Sequence, residues 1–260
     1  MHNLGVVTLA MISALCVMAC RPDDGQQNPD DGAASDLGGK TAATSSPAPA
    51  PEADMGGKET ETITLKIATF NASLYRDSEG KLLEDLQGGS DRQAERVAEV
   101  LQILQPDIVL INEFDYVAGE EAAAVFAEKY LLQSQNGATP HDGMMYYFAP
   151  ESNTGEPSGF DLDNNGAVVQ DPGSIEYGND AYGFGRFPGQ YGMAVFSKYP
   201  IMADDHRAFR TLLWSSMPGN LQPVDWYGEA SANAMGLSSK THADVPVQVG
   251  DRVVHLLISH

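Results

Sequence analysis

Apolar and polar positions alternate through Ile63-Thr64-Leu65-Lys66-Ile67-Ala68-Thr69-Phe70-Asn71, and the run is rich in β-formers, so a strand is predicted there. The period then changes. Ala94, Val97, Ala98, Leu101 and Leu104 fall on one helical face, Asp91 stands where an N-cap belongs, and Pro106 closes the segment. The next run, Asp107-Ile108-Val109-Leu110-Ile111-Asn112-Glu113, is almost continuously apolar, which marks a strand buried on both faces. Strand, helix, strand is the opening of an α/β fold. A weaker helical pattern covers about Gly119 to Leu132, and Met144 to Ala149, Gly192 to Ser197 and Arg252 to Ser259 are further strand candidates. From Pro150 to Gly189 the chain is rich in Gly, Asp, Asn and Pro, and a long surface excursion is expected.

The N-terminal pattern is different in kind. From Leu4 to Ala19 there is no charged residue, and the apolar stretch is too short to span a bilayer but suits a signal-peptide core. It ends in Val17-Met18-Ala19-Cys20, which resembles the lipobox of bacterial lipoproteins, in which the cysteine is lipidated and becomes the new N-terminus. The alternative is an ordinary signal peptide cut nearby. Residues 1–19 are thus expected to be a leader, with Cys20 the lipidation site. The protein would then be secreted across the inner membrane and anchored to the cell envelope, at the outer membrane, or be extracellular. Residues 20–61 contain Ser45-Ser46-Pro47-Ala48-Pro49-Ala50-Pro51 and almost no large apolar side chain, so they are expected to form a disordered tether. The folded domain is assigned to residues 62–260.

Charge narrows the chemistry. The chain of 260 residues carries 15 Lys and Arg against 36 Asp and Glu, a net charge of −21. The folded part shares this acidity, with 12 basic and 27 acidic residues beyond position 61. Long-range attraction to nucleic acid or anionic lipid is excluded. If the protein meets a phosphate, a bound divalent cation must offset the repulsion. Both cysteines, Cys16 and Cys20, lie in the leader region, so a disulfide framework or a cysteine-based zinc site in the domain is excluded too.

Three polar residues stand at the C-terminal ends of strand-like runs: Asn71, Glu113 and His260. There polar groups can gather at a sheet edge. An amide, a carboxylate and an imidazole suit a site that holds a hard cation through oxygen and handles a phosphoryl group beside it. Taken singly, each has a bland reading as a turn, a solvated strand end and a structural histidine.

The blocks Lys66-Ile67-Ala68-Thr69-Phe70-Asn71, Pro106-Asp107-Ile108-Val109-Leu110-Ile111-Asn112-Glu113, Gly189 to Ile201 and His255-Leu256-Leu257-Ile258-Ser259-His260 resemble successive blocks of the endonuclease/exonuclease/phosphatase superfamily, in family order. Phe184 to Gly192 and Leu237 to Val247 look closer still to a bacterial secreted branch. The resemblance implies a deoxyribonuclease I-like fold, a two-sheet α/β sandwich, that hydrolyses phosphoester bonds with Mg²⁺ or Mn²⁺. Glu113 matches the metal-binding Glu, Asn71 the first-strand Asn that positions the metal or the nucleophile, and His260 a mid-domain His that contacts the scissile phosphate. Water would be the nucleophile. The family continues beyond the block matched by His255 to His260 with Asp-x-Asn and Ser-Asp-His motifs; here Asp163-Asn164-Asn165 precedes that block and Ser-Asp-His does not occur, so the chain is read as about the first half of the domain. Such a fragment is expected to be inactive, with an exposed apolar face and an edge strand.

Asp161-Leu162-Asp163-Asn164-Asn165-Gly166 matches the opening of a calcium loop through Asp161, Asp163 and Asn165, but the twelfth position is Pro172, so an ordinary polar turn competes with a Ca²⁺ site. Tyr182, Phe184, Phe187 and Tyr191 with Arg186 are candidates for an aromatic and cationic rim near the substrate, or for packing a loop onto its sheet. His242 with Asp244 is a weaker second site. Met144 and Met145 read as core. Trp214 and Trp226 suit either a loop anchor or a lipid contact. Two functional classes remain: a metal-dependent phosphoester hydrolase on the envelope, acting on nucleic acid or a small phosphoester, or a calcium-dependent surface binding lipoprotein without chemistry. The expected membrane contact is through the lipid anchor, and no protein partner is predicted.

Overall fold

The structure, a computed structural model, describes residues 62–260 and the backbone of residues 9–13. The rest of the expected leader, Cys20 and the tether up to residue 61 lie outside the described residues. Two sheets build the domain. The first contains β1 (Leu9–Ser13), β2 (Leu65–Leu74), β3 (Ile108–Phe114), β4 (Tyr146–Phe148) and β5 (Met193–Ser197), in the spatial order β1-β2-β3-β5-β4. β1, β2 and β3 run parallel, and β5 runs antiparallel to both β3 and β4. β1 falls inside the expected signal-peptide core. Removal of that leader would return the outer edge of β2 to solvent.

Helices cover one face of this sheet: α1 (Lys81–Gln87), α2 (Arg92–Leu104) and α3 (Glu121–Phe126), which runs on into a π-helical turn at Ala127–Leu131. α2 starts as its sequence dictates, with the Asp91 side chain accepting from the Ala94 N–H at 2.8 Å. Its last turn closes on Gln105 in the left-handed conformation, just before Pro106. Val97, Ala98 and Leu101 of α2 and Phe126 of α3 pack with Val109, Ile111, Ala194 and Phe196 of the sheet in one buried core. Gln102 is buried with them. Its Nε2 donates to the carbonyls of Tyr130, Leu131 and Gln133, which docks α2 onto the turn after α3.

The second sheet is β6 (Arg207–Ala208), β7 (His242–Val249) and β8 (Arg252–Ser259), antiparallel throughout. Ala243, Val245, Val247 and Val249 of β7 are buried, as are Ile108, Met193 and Val195 on the first sheet's other face. The result is the expected two-sheet α/β sandwich. β8 is an edge strand with Leu257 81% exposed, whereas the first sheet's other face, expected to be bare, is buried at Ile108, Met193 and Val195.

The stretch from Pro150 to Gly189 is the expected long surface excursion, with residues 163–176 exposed or half-buried. It is anchored at both ends: Tyr177, Phe187 and Asp180 are buried and a short helix, α4 (Ile175–Asp180), lies within it. Backbone bonds tie it to its neighbours, from Gly189 N–H to Thr154 O and from Asn153 N–H to Lys240 O. Helix α5 (Val224–Ala234), interrupted at Gly228, also escaped the pattern, as did α1 and β7. β7 carries Pro246 in mid-strand, a residue that argues against a strand in sequence. Met144 is core as expected, whereas Met145 is 62% exposed.

One buried titratable group sets a pH dependence. The His141 Nε2–H donates to the Pro106 carbonyl at 2.9 Å, while Nδ1 is buried without a hydrogen-bond partner. Burial, and then the nearby Lys198 charge, push the His141 pKa below the ordinary histidine value. The unfolded chain therefore takes up a proton below about pH 6.5 that the folded protein resists, so the His141 contribution to stability falls as pH falls through that region. Urea midpoints measured between about pH 7 and pH 5 should decline less in His141→Gln than in the unmodified protein; equal slopes would show that His141 is not responsible.

Candidate metal and phosphate site

β2 and β3 pair in register up to Asn71 opposite Asn112, then resume at Leu74 opposite Phe114. Ala72 and Ser73 thus oppose Glu113 alone, a β-bulge. Ser73 and Glu113 take φ values of 50° and 58°, in the left-handed region that costs an L side chain about 1–3 kcal/mol. The bulge breaks the in-out alternation and brings the Glu113 carboxylate beside the end of β2. Asn71 Nδ2 donates to Glu113 Oε1 and Ser73 Oγ donates to Glu113 Oε2, each at 3.1 Å. Both carboxylate oxygens keep free lone pairs.

His260, after β8, and Lys240, before β7, complete the group. Lys240 Nζ lies 2.5 Å from His260 Nδ1. An ammonium can only donate, so Nδ1 accepts and the ring is the neutral tautomer with its proton on Nε2. Burial and the Lys240 charge push the His260 pKa below its ordinary value, against a smaller opposing pull from Glu113. Burial likewise lowers Lys240, with Glu113 opposing. Asn71, Glu113 and His260, singled out in the sequence, therefore come together. Lys240 was missed as a functional residue, although it stands in the quoted block Leu237 to Val247. Scarcity was the available signal, since cations are few in so acidic a chain.

Asp115, two residues beyond Glu113, was also missed. It is 3% exposed, and its oxygens accept from the backbone N–H of Arg76 at 2.7 Å and of Tyr191 at 3.0 Å. Burial pushes its pKa up to about 7, against the two N–H groups and the Arg76 charge. The expected aromatic rim divides. Tyr191 and Phe184 lie together with ring centroids 6.2 Å apart, and Tyr75 joins Tyr191 at 4.5 Å. Phe187 is buried elsewhere, and Tyr182 lines a separate cavity with Asn153 and Pro157. Arg186 pairs with Asp77. Asp244 is bound by His255 at 2.8 Å and Arg207 at 2.6 Å rather than by His242, which corrects that pairing.

The calcium-loop candidate gains a carboxylate that the sequence reading did not include. Asp161 and Asp163 converge with Asp180, whereas the Asn165 side chain accepts from Ala167 N–H. Asp161 already accepts from Asn165 and Gly166 N–H, and Asp180 from Leu162 and Val169 N–H, so the loop is closed by its own backbone. At the main site the donor set does suit a hard divalent cation. Glu113 offers a carboxylate, Asn71 keeps its amide oxygen free of the bond that Nδ2 makes, and Ser73 adds a hydroxyl. Mg²⁺ typically takes one or two carboxylates and completes its shell with water and phosphate.

The profile of the Endonuclease/Exonuclease/phosphatase family matches residues 68–249. Among solved structures, an endonuclease/exonuclease/phosphatase from Beutenbergia cavernae is similar at 18% identity, covering 74% of this chain and 37% of that one, with a TM-score of 0.34. An endonuclease/exonuclease/phosphatase family protein from Leptotrichia buccalis is similar at 15% identity, covering 76% of this chain and 53% of that one, with a TM-score of 0.36. The chain spans from about a third to about half the length of these structures. No curated protein matches it.

The contact between Lys240 and His260 is directly testable. In chelator-treated Lys240→Met the His260 ring should titrate at higher pH than in the unmodified protein, as followed by nitrogen chemical shifts; an unmoved titration would mean that the two side chains do not meet in solution.

Proposed function

The chain belongs to the endonuclease/exonuclease/phosphatase family, and on that premise we propose that it carries the metal-binding part of a Mg²⁺- or Mn²⁺-dependent phosphoester hydrolase of the bacterial envelope. The observation that supports this most strongly is the Glu113 carboxylate, turned out of its strand and held by Asn71 and Ser73 beside Lys240 and the neutral His260 ring that it contacts. Glu113 and Asn71 would hold the cation, which when bound supplies Lewis acidity toward the phosphate. His260 presents its Nε2 proton to a phosphoryl oxygen, while Lys240 keeps the ring in that tautomer and adds positive charge. Water is the nucleophile, so no covalent intermediate is required. The net charge of −21 favours a small or metal-chelated phosphoester over long duplex DNA.

The alternative, a calcium-dependent binding module, draws on the three carboxylates of Asp161, Asp163 and Asp180. It is the weaker reading, because Pro172 stands at the twelfth position, where the loop needs a bidentate Glu. Attachment to the envelope is proposed through Cys20. No described helix is long and apolar enough to cross a membrane.

Protein expressed from the complete reading frame should hydrolyse an activated phosphodiester or phosphomonoester with Mg²⁺ or Mn²⁺, and chelation should abolish turnover. Glu113→Gln should lower kcat/KM by at least about 100-fold, the scale at which a lost transition-state charge contact is felt. Undiminished turnover in that variant would sink the metal assignment. For the anchor, Cys20→Ser should shift the protein from the membrane fraction to the soluble fraction; retention on the membrane would exclude lipidation there.

A further inference from the structure

Three aromatic rings stand beside the phosphate site without being consumed by the core. Phe184 is 48% exposed, and Tyr75 and Tyr191 are half-buried. Tyr191 joins them into one ledge, with Phe184 inclined to it by 29° and Tyr75 by 55°. The ledge is fixed rather than draped. Asp115 holds the Tyr191 backbone, Gln190 Nε2 donates to the Arg76 carbonyl at 2.6 Å, and Phe184 lies over Gly178, where an added Cβ would come within 3.0 Å of the ring. It also adjoins the reacting end: Lys240 Nζ sits 5.6 Å from the Tyr191 ring centroid while touching His260.

We propose that Tyr75, Tyr191 and Phe184 form a stacking subsite for a flat aromatic heterocycle carried by a small phosphoester, a nucleotide, whose phosphate lies toward Glu113, Lys240 and His260. The proposal rests on the phosphoester reading above and adds the substrate class. Flat π-systems gain most from such faces. A quaternary ammonium would also favour aromatic faces, but here Lys240 already stands over the Tyr191 ring. That cation repels a second one and attracts the phosphate of a nucleotide. Duplex DNA is a poor fit, because its bases are stacked within the helix and the acidic surface repels its backbone.

The test compares AMP, ribose 5-phosphate and phosphocholine as ligands of the full chain, by NMR titration with and without Mn²⁺-free Mg²⁺. AMP should bind about 5- to 150-fold more tightly than ribose 5-phosphate, the range that one stacked base supplies. Phe184→Ala and Tyr75→Ala should each cut that ratio severalfold without changing ribose 5-phosphate binding, and Phe184→Trp should retain it. Glu113→Gln should weaken both phosphates while leaving the AMP advantage in place. An AMP affinity no greater than that of ribose 5-phosphate, or phosphocholine binding more tightly than AMP, would overturn the stacking subsite. Failure of ribose 5-phosphate to respond to Mg²⁺ would instead count against the phosphoester reading, so the two failures are distinguishable.

Discussion

The arrangement depends on one carboxylate being held where a regular strand would not put it. In an unbroken β3, Glu113 would follow the alternation that buries Ile111 on the helical side. The bulge opposite Ala72 and Ser73 interrupts that alternation, and φ of 58° at a glutamate is strain that the surrounding sheet must impose. Asn71 and Ser73 then hold both oxygens from the neighbouring strand. A carboxylate fixed in advance loses little freedom when it meets an ion, which is how preorganisation favours binding.

That carboxylate also reconciles the protein's charge with its chemistry. A domain with 12 basic and 27 acidic residues repels phosphate, and the described residues answer with local positive charge instead of a basic field. Lys240 and His260 share one hydrogen bond at Nδ1, which leaves the histidine proton on Nε2, directed away from the lysine. Burial weakens the protonated form of both, while Glu113 opposes that weakening. Divalent charge at Glu113 would reverse the local sign, which is why a cation fits the site better than an unaided imidazole.

Much of the scaffold was legible because it depends on local pattern. The period of Ala94, Val97, Ala98 and Leu101, with Asp91 and Pro106 as its ends, defined α2, and the continuous run at Ile108 to Ile111 defined β3. Asn71, Glu113 and His260 could be chosen because strand ends are visible in sequence. What sequence hides is the meeting of distant segments. Lys240 acquires meaning from His260 twenty residues away, Tyr75 from Tyr191, and Asp115 from two backbone N–H groups on separate loops. Polar composition from Pro150 to Gly189 suggested a surface excursion but not its anchoring, in which polar side chains satisfy backbone groups in place of regular structure, as Asp180 does for Leu162 and Val169.

Tyr191 repeats the geometry of Glu113, with φ of 58° at its own turn. Between the two residues run three ties: Phe114 N–H to Gly192 O at 3.1 Å, Tyr116 N–H to Gly189 O at 2.9 Å, and Asp115 to the Tyr191 N–H. Gly189 and Gly192 permit this approach, since a Cβ at either would come within 3.0 Å of a backbone carbonyl oxygen. The carboxylate and the aromatic ledge are therefore indexed to each other through the end of β3, not through a flexible loop. A ligand that bridges them meets a spacing already set, so changes at Gly189 or Gly192 would act on recognition and on metal placement together.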